Sequence, residues 1–285
     1  MSDNGHNPYN PIPMHIVRAY YESNDRSLKT FELVFDHQTD CDEFFSRYNP
    51  GQFCQLSIFG KGEAPFGIAS AAWEGEFVRF TVQKLGSFTK HIHTLSAGEP
   101  IGMRGPLGNG FPLEDWKGKN IVIIGGGCAF STLYALTKHV HHSKHRPDFE
   151  QLIVIYGART SGLCMYKHDI ETWYQRSDME IHQAIDVPEE DWSHHVGYVP
   201  DVVKDVAPSP ENAVAVVCGP PIMTKYTLPV LVELGFAPED IFTSLEKRMK
   251  CGIGKCGRCN IGSKYICKDG PVFSLAELNA LPADL

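Results

Sequence analysis

Four of the nine cysteines fall near the C-terminus at Cys251, Cys256, Cys259 and Cys267, separated by four, two and seven residues. The first three positions match the plant-type pattern in which one tight loop wraps thiolates around a [2Fe–2S] cluster. Gly252, Gly254, Gly257 and Gly262 alternate with them. They let the backbone approach the sulfides and turn N–H groups toward them. The alternative is a four-cysteine zinc site, which usually pairs two short hooks across a longer loop. Three cysteines crowded into one glycine-rich loop favour iron–sulfur. In a reducing compartment such a group reads as a metal site rather than a disulfide framework. Cys41, Cys54, Cys128, Cys164 and Cys218 are scattered and read mostly as small buried hydrophobes.

A second chemistry is suggested by glycine turns. The apolar run 121–124 leads into Gly125, Gly126, Gly127 and Cys128, then into a helix-like stretch, 131–139. A phosphate can sit where such a turn meets a helix N-terminus, because unpaired N–H groups face it and no side chain blocks the way. Close strand–helix packing would also demand glycines there. Two later runs end similarly, at Gly157-Ala158-Arg159-Thr160 and at Cys218-Gly219-Pro220-Pro221. In a parallel sheet all three loops share one edge, so they converge on one crevice and favour a ligand site. The stretches 64–70, 82–89 and 105–111 could each be a barrel corner or turn. His139, His141, His142 and His145 invite a metal reading, but Lys138, Lys144 and Arg146 beside them mark a solvated helix end. His91, His93, His194 and His195 carry no stronger signal. Lys84 and Lys90 read equally as surface charges.

These residues need elements to place them. From about 14 to 112, short β-type runs (31–35, 53–59, 77–83) alternate with Asn-Pro-Gly, Gly-Lys-Gly and Glu-Gly turns, the pattern of an antiparallel barrel or sandwich. From Asn120, four β-rich runs (121–124, 152–156, 180–185, 213–217) are spaced widely enough for crossover helices, which predicts a doubly wound parallel α/β sheet. The last forty residues hold the cysteines and a short helix starting at Ser274, and are too few to fold unstapled. The expected division is 1–113, 114–244 and 245–285. The 285 residues, 42% apolar and carrying a formal charge of −8, suit a folded protein with no basic footprint for nucleic acid or anionic membrane. The Asn- and Pro-rich stretch 1–13 does not read as a secretory signal, and no run approaches the roughly 18 apolar residues of a membrane span. A cytoplasmic protein is the expectation.

In motif order the chain resembles the ferredoxin–NADP reductase superfamily over nearly its whole length. More narrowly, it resembles the branch with a C-terminal [2Fe–2S] segment: hydrogenase and sulfhydrogenase gamma subunits, the electron-transfer subunit of dihydroorotate dehydrogenase, and relatives in sulfite and heterodisulfide reductase systems. Residues 245–259 and 264–273 are most similar to the hydrogenase gamma type. The resemblance implies a flavin barrel, a nicotinamide nucleotide domain and then the cluster. It implies that Phe66 faces the isoalloxazine of FAD, and that Gly67, Ile68, Ala69 and Ser70 line it. Val82, Gln83 and Lys84 would hold the ribityl region, and Ser87, Phe88 and Thr89 the diphosphate. Gly125 to Cys128, Gly157 to Thr160 and Cys218 to Pro221 would contact NAD(P), with Cys218 near the nicotinamide and Glu246 near the flavin. Ala64 and Gly67 stand where the superfamily usually has Arg and Ser, so Lys84 or backbone N–H must replace the missing cation. Cys128 stands where a glycine is usual, which narrows the nucleotide pocket.

Hydride carries two electrons and an iron–sulfur cluster accepts one, so a flavin between them explains three modules in one chain. No side chain is required as acid or base. The expectation is an electron-transfer subunit linking NAD(P)(H), FAD and a [2Fe–2S] cluster to a partner protein, a hydrogenase first. Dihydroorotate dehydrogenase, sulfite reductase or heterodisulfide reductase would be served by the same chemistry. A reading of another class is a non-enzymatic nucleotide-binding module with a zinc staple.

Overall fold

The computed structural model describes residues 7–282. The N-terminal stretch discussed above lies partly outside them, as do the last three residues.

Six strands, β1 (Ile12–Tyr21), β2 (Leu28–Phe35), β3 (Phe53–Ile58), β4 (Gly62–Gly67), β5 (Val78–Gln83) and β6 (Pro100–Leu107), form an antiparallel sheet ordered β4-β3-β6-β1-β2-β5. The sheet curls until its edges meet, where the Ala69 N–H donates to Arg79 O at 2.8 Å. This is the expected barrel. Its inside is filled by Met14, Ile16, Phe31, Leu33, Leu56, Val78, Phe80 and Met103, alternate residues of their strands. Helix α1 (Gln38–Arg47) covers one side with Phe44, and the short α2 (Ser87–Ile92) follows β5.

Beyond it, β7 (Asn120–Gly126), β8 (Leu152–Ala158), β9 (Glu180–Ile185), β10 (His195–Val196), β11 (Ala213–Cys218) and β12 (Ile241–Ser244) pair in parallel in the order β10-β9-β8-β7-β11-β12. Each expected run is a strand. β7, β8 and β11 are near-continuous apolar runs because both their faces are covered, whereas β9 carries Glu180, His182 and Gln183 nearer the sheet's edge. α3 (Phe130–His141) and α4 (Lys167–Tyr174) pack on one face, while α5 (Val199–Val206) and α6 (Pro221–Glu233) pack on the other.

The tail holds a hairpin, β13 (Asn260–Ile261) with β14 (Lys264–Tyr265), then α7 (Ile266–Asp269), β15 (Val272–Ser274) and α8 (Leu275–Asn279). The helix expected at Ser274 begins there: its hydroxyl accepts from Glu277 N and the Glu277 carboxylate accepts from Ser274 N. The tail is not a free appendage. β15 pairs antiparallel with β12 and so extends the second sheet. Cys251, Cys259, Cys267, Ile266 and Phe273 share a small core with Phe53 of the barrel.

Candidate redox site

The cysteine loop is built by glycines. Gly252, Gly254, Gly257 and Gly262 all have positive φ, between +54° and +74°. Conformations of that kind are costly for residues bearing a Cβ. They turn amides toward sulfur: Lys255 N and Cys256 N lie 3.2 and 3.4 Å from Cys251 Sγ, and Gly254 N is 3.1 Å from Cys267 Sγ. Burial opposes ionisation of Cys251, but the N–H groups of Ile253, Lys255 and Cys256 outweigh it and bring the thiol down to about 6. Burial and the adjacent Cys259 thiol push Cys267 up to about 12. Cys267 N in turn lies 3.5 Å from Cys259 Sγ. Among the described residues no three His, Cys, Asp or Glu side chains converge to hold one metal ion. Four cysteines in one short segment, with amides turned toward three of the sulfurs, fit an iron–sulfur centre held by thiolates. Cys256 is the exposed member; the other three are buried.

The loop sits on the barrel through contacts that the spacing of motifs did not reveal. Arg104 Nη1 donates to Cys251 O at 3.0 Å, while its Nε and Nη2 grip the Glu63 carboxylate at 2.7 and 2.5 Å. Asn109 Nδ2 donates to Val272 O at 2.8 Å, and Val272 N returns a bond to Asn109 Oδ1 at 2.9 Å. The stretch 105–111, which on spacing alone could be only a barrel corner, is therefore the tail's dock.

The three nucleotide-type loops converge as expected. In register, Gly125 lies beside Cys218 and Gly126 beside Gly157. Much of the glycine content here serves packing: a Cβ on Gly219 would stand 2.7 Å from Met223 Sδ, and one on Gly126 would also overlap that sulfur. Gly127 differs, with φ +53° and open space where a side chain would start. It offers backbone to a ligand at the start of α3. Cys128 reaches across to the barrel, its Sγ 3.8 Å from Thr81 O, and Cys218 Sγ lies 3.8 Å from Ser244 O. Burial pushes both thiols up, Cys128 to about 12, and the Glu246 carboxylate adds to each shift. Glu246 keeps part of its surface exposed, but the atoms crowded around its carboxyl partly desolvate it and hold it above the ordinary value. The three groups lie close enough to act on one another electrostatically.

At the end of β8, Arg159 is exposed and Ala158 buried, while Thr160 uses its carbonyl on Leu163 N. Ser161 next to them donates its N–H to Glu189 Oε1 at 3.0 Å and its hydroxyl to the second carboxylate oxygen. Motif reading missed Glu189, which arrives from the chain beyond β9.

On the barrel the expected flavin residues divide. Gly67 meets the nucleotide domain, whereas Phe66 is half-buried against the barrel core and stacks on Phe88 at 6.2 Å. Gln83, Lys84 and Ser87 are exposed. Ile68, Ala69 and Val82 are fully buried, and Ser70 accepts from Arg79 N, so these four shape the wall from behind. The Val82 carbonyl is taken by His93 Nε2 at 2.8 Å. Thr89 Oγ1 is engaged locally, accepting from Leu85 N and Gly86 N. A Cβ on Gly67 would overlap Thr132 Oγ1 of α3, so the nucleotide domain presents a hydroxyl at this point.

Residues 123–228 match the family model described as an oxidoreductase NAD-binding domain, and residues 246–279 match the iron–sulfur cluster binding domain of dihydroorotate dehydrogenase B. The sulfhydrogenase 1 gamma subunit of Pyrococcus furiosus is 32% identical over 284 residues, covering 97% of this chain and 94% of that protein. A probable dihydroorotate dehydrogenase B electron-transfer subunit of Thermococcus kodakarensis is 33% identical over 256 residues, covering 88% and 97%. Among solved structures, a chain of the NADH-dependent reduced ferredoxin–NADP oxidoreductase superposes with a TM-score of 0.74 at 23% identity, over 98% of this chain and 92% of that one. The chain belongs to the family of electron-transfer oxidoreductase subunits that join a ferredoxin–NADP reductase fold to a C-terminal iron–sulfur binding domain, the family of the sulfhydrogenase gamma and dihydroorotate dehydrogenase B electron-transfer subunits.

Proposed function

We propose that this chain carries electrons between NAD(H) and a partner protein by way of FAD in the cleft and a [2Fe–2S] cluster in the Cys251–Cys267 loop, as a hydrogenase-type gamma subunit of the cytoplasm. The supporting observation is a continuous arrangement. The nucleotide edge meets the barrel at Cys128 and Thr81, and the thiolate loop is clamped to the same barrel by Arg104, with Cys256 at the surface. A flavin held between those points supplies the exchange between two-electron and one-electron chemistry.

The chain's own residues bind, orient and exclude water. Gly127 leaves its backbone open to the dinucleotide phosphates. Cys128, Cys218 and Thr132 wall the cleft around the nicotinamide with weakly polar groups, and Phe66 closes it from the barrel. Lys84 and the amides around Ser87 are the donors left for the FAD diphosphate. Glu189 favours NAD over NADP, because its carboxylate already takes the Ser161 donors at the end of the second strand and would repel a 2′-phosphate there. The division 1–113, 114–244 and 245–285 describes the three tasks.

A hydrogenase partner is supported over a dihydroorotate dehydrogenase partner by length. The two sulfhydrogenase gamma subunits match over 97% and 94% of this chain, and the first dihydroorotate dehydrogenase subunits over 88% and 81%. Anaerobic affinity purification with metal and flavin analysis of the same sample tests the reading. Bound FAD, two irons per chain and hydrogenase subunits are expected; a colourless, zinc-containing product overturns it.

A further inference from the structure

Beneath the thiolate loop the chain leaves one polar side chain without a partner. Gln55 lies within β3, is 1% exposed, and neither its Nε2 nor its Oε1 has a hydrogen-bond partner among the described residues. Leaving a buried donor or acceptor unpaired costs about 1–3 kcal/mol, and buried amides in native proteins are nearly always paired. Strand alternation fixes its direction. Cys54 and Leu56 on either side belong to the barrel interior, so Gln55 turns outward.

What covers it there is the cysteine loop. A Cβ built on Gly252 would lie 3.3 Å from Gln55 Cγ and 3.4 Å from Nε2. The glycine after the first ligand thus lets the loop descend onto the amide. The polar neighbours are already engaged. Arg104, the register partner of Gln55 across the ladder, divides its guanidinium among Glu63, Pro8 O and Cys251 O. The Lys255 and Cys256 amides serve Cys251 Sγ, and Gly254 N serves Cys267 Sγ.

Building on the cluster reading above, we propose that Gln55 Nε2 donates a hydrogen bond to the barrel-facing side of the iron–sulfur centre and raises its reduction potential. An N–H donor stabilises the extra negative charge of the reduced core, which moves the potential upward. Gln55 is a positioning and tuning residue, placed on the barrel side of the cluster.

The test is an EPR-monitored redox titration of the full holo-chain, comparing the native protein with Gln55→Met and Gln55→Glu. Gln55→Met should lower the cluster midpoint potential by about 59 mV, a tenfold change in the one-electron equilibrium, and leave the flavin potential unchanged. Gln55→Glu, which replaces the donor by an acceptor, should lower it further. An unchanged cluster potential in an iron-loaded Gln55→Met protein overturns the proposal, as does a shift confined to the flavin. If the variants fail to fold, pulsed EPR on native protein labelled with 15N in glutamine side chains decides. A 15N coupling to the reduced cluster supports the assignment and its absence overturns it. Native protein without iron would instead remove the cluster reading itself, which metal analysis shows before any variant is made.

Discussion

Thr132 Oγ1 occupies the space in which a side chain at Gly67 would begin. The barrel and the nucleotide domain meet there so closely that only a hydrogen fits on the barrel side. Gly67→Ser should therefore destabilise the protein by about 1–3 kcal/mol through overpacking, read by chemical denaturation. Adding Thr132→Ala should return most of that loss. A neutral Gly67→Ser would mean that the two domains are not held this closely.

Lys138 of α3 and Glu74 of the barrel form a second bridge, 2.7 Å long with both side chains largely buried. Glu74 keeps Arg79 at 3.2 Å, so loss of the lysine does not strand the carboxylate. Lys138→Met should cost about 2 kcal/mol, with the loss visible as a lower melting temperature at unchanged flavin content. A melting temperature equal to that of the native chain would show the bridge contributes nothing.

The two histidines near the end of α3 give the fold an acid limit. Burial lowers His139 and His141 to about 4, with His145 and Arg176 respectively adding to the effect. A histidine depressed in the folded state contributes stability that is present above its unfolded value near 6.5 and is lost as pH falls toward 4. The expected loss over that window is roughly 2 kcal/mol per histidine after solvent screening. His139→Phe should flatten the fall in urea midpoint between pH 6.5 and 4; an unaltered slope would refute the assignment.

The proposal that Glu189 disfavours a 2′-phosphate is tested by changing its charge. Glu189→Gln removes the negative charge and leaves a group that can still accept from Ser161. The ratio of kcat/KM for NADPH to that for NADH should rise about tenfold, the equivalent of 1.4 kcal/mol. An unchanged ratio would place the ribose away from this loop.

The parts of this molecule that were readable in sequence are those whose information is local. The cysteine spacing, the glycine alternation and the runs of β-branched residues each lie within a few positions. Accordingly the thiolate loop, the parallel strands and the Ser274 helix cap lie where expected. The contacts that assemble these pieces are remote. Asn109 and Val272 are 163 residues apart, and nothing near Asn109 distinguishes a dock from a turn. Gln55 sits in a strand with no motif around it and becomes conspicuous only when its burial and lack of partner are known. Thr132 and Glu189 are unremarkable as residue types. The histidines 139, 141 and 145 illustrate the opposite case: the neighbouring Lys138, Lys144 and Arg146 marked a solvated helix end, but Lys138 is largely buried on Glu74 and the histidines are packed against their neighbours. His139 stacks on His145 at 4.2 Å, and His141 meets Trp173 edge-on.

The tail is tied at both ends of its path. Arg104 and Asn109 fasten it to the barrel, and the pairing of β15 with β12 fastens it to the nucleotide sheet. It acts as a strap across the hinge between two lobes. Swinging them apart would have to peel β15 away or break the Asn109 zip, so the strap ties the thiolate loop to both lobes at once.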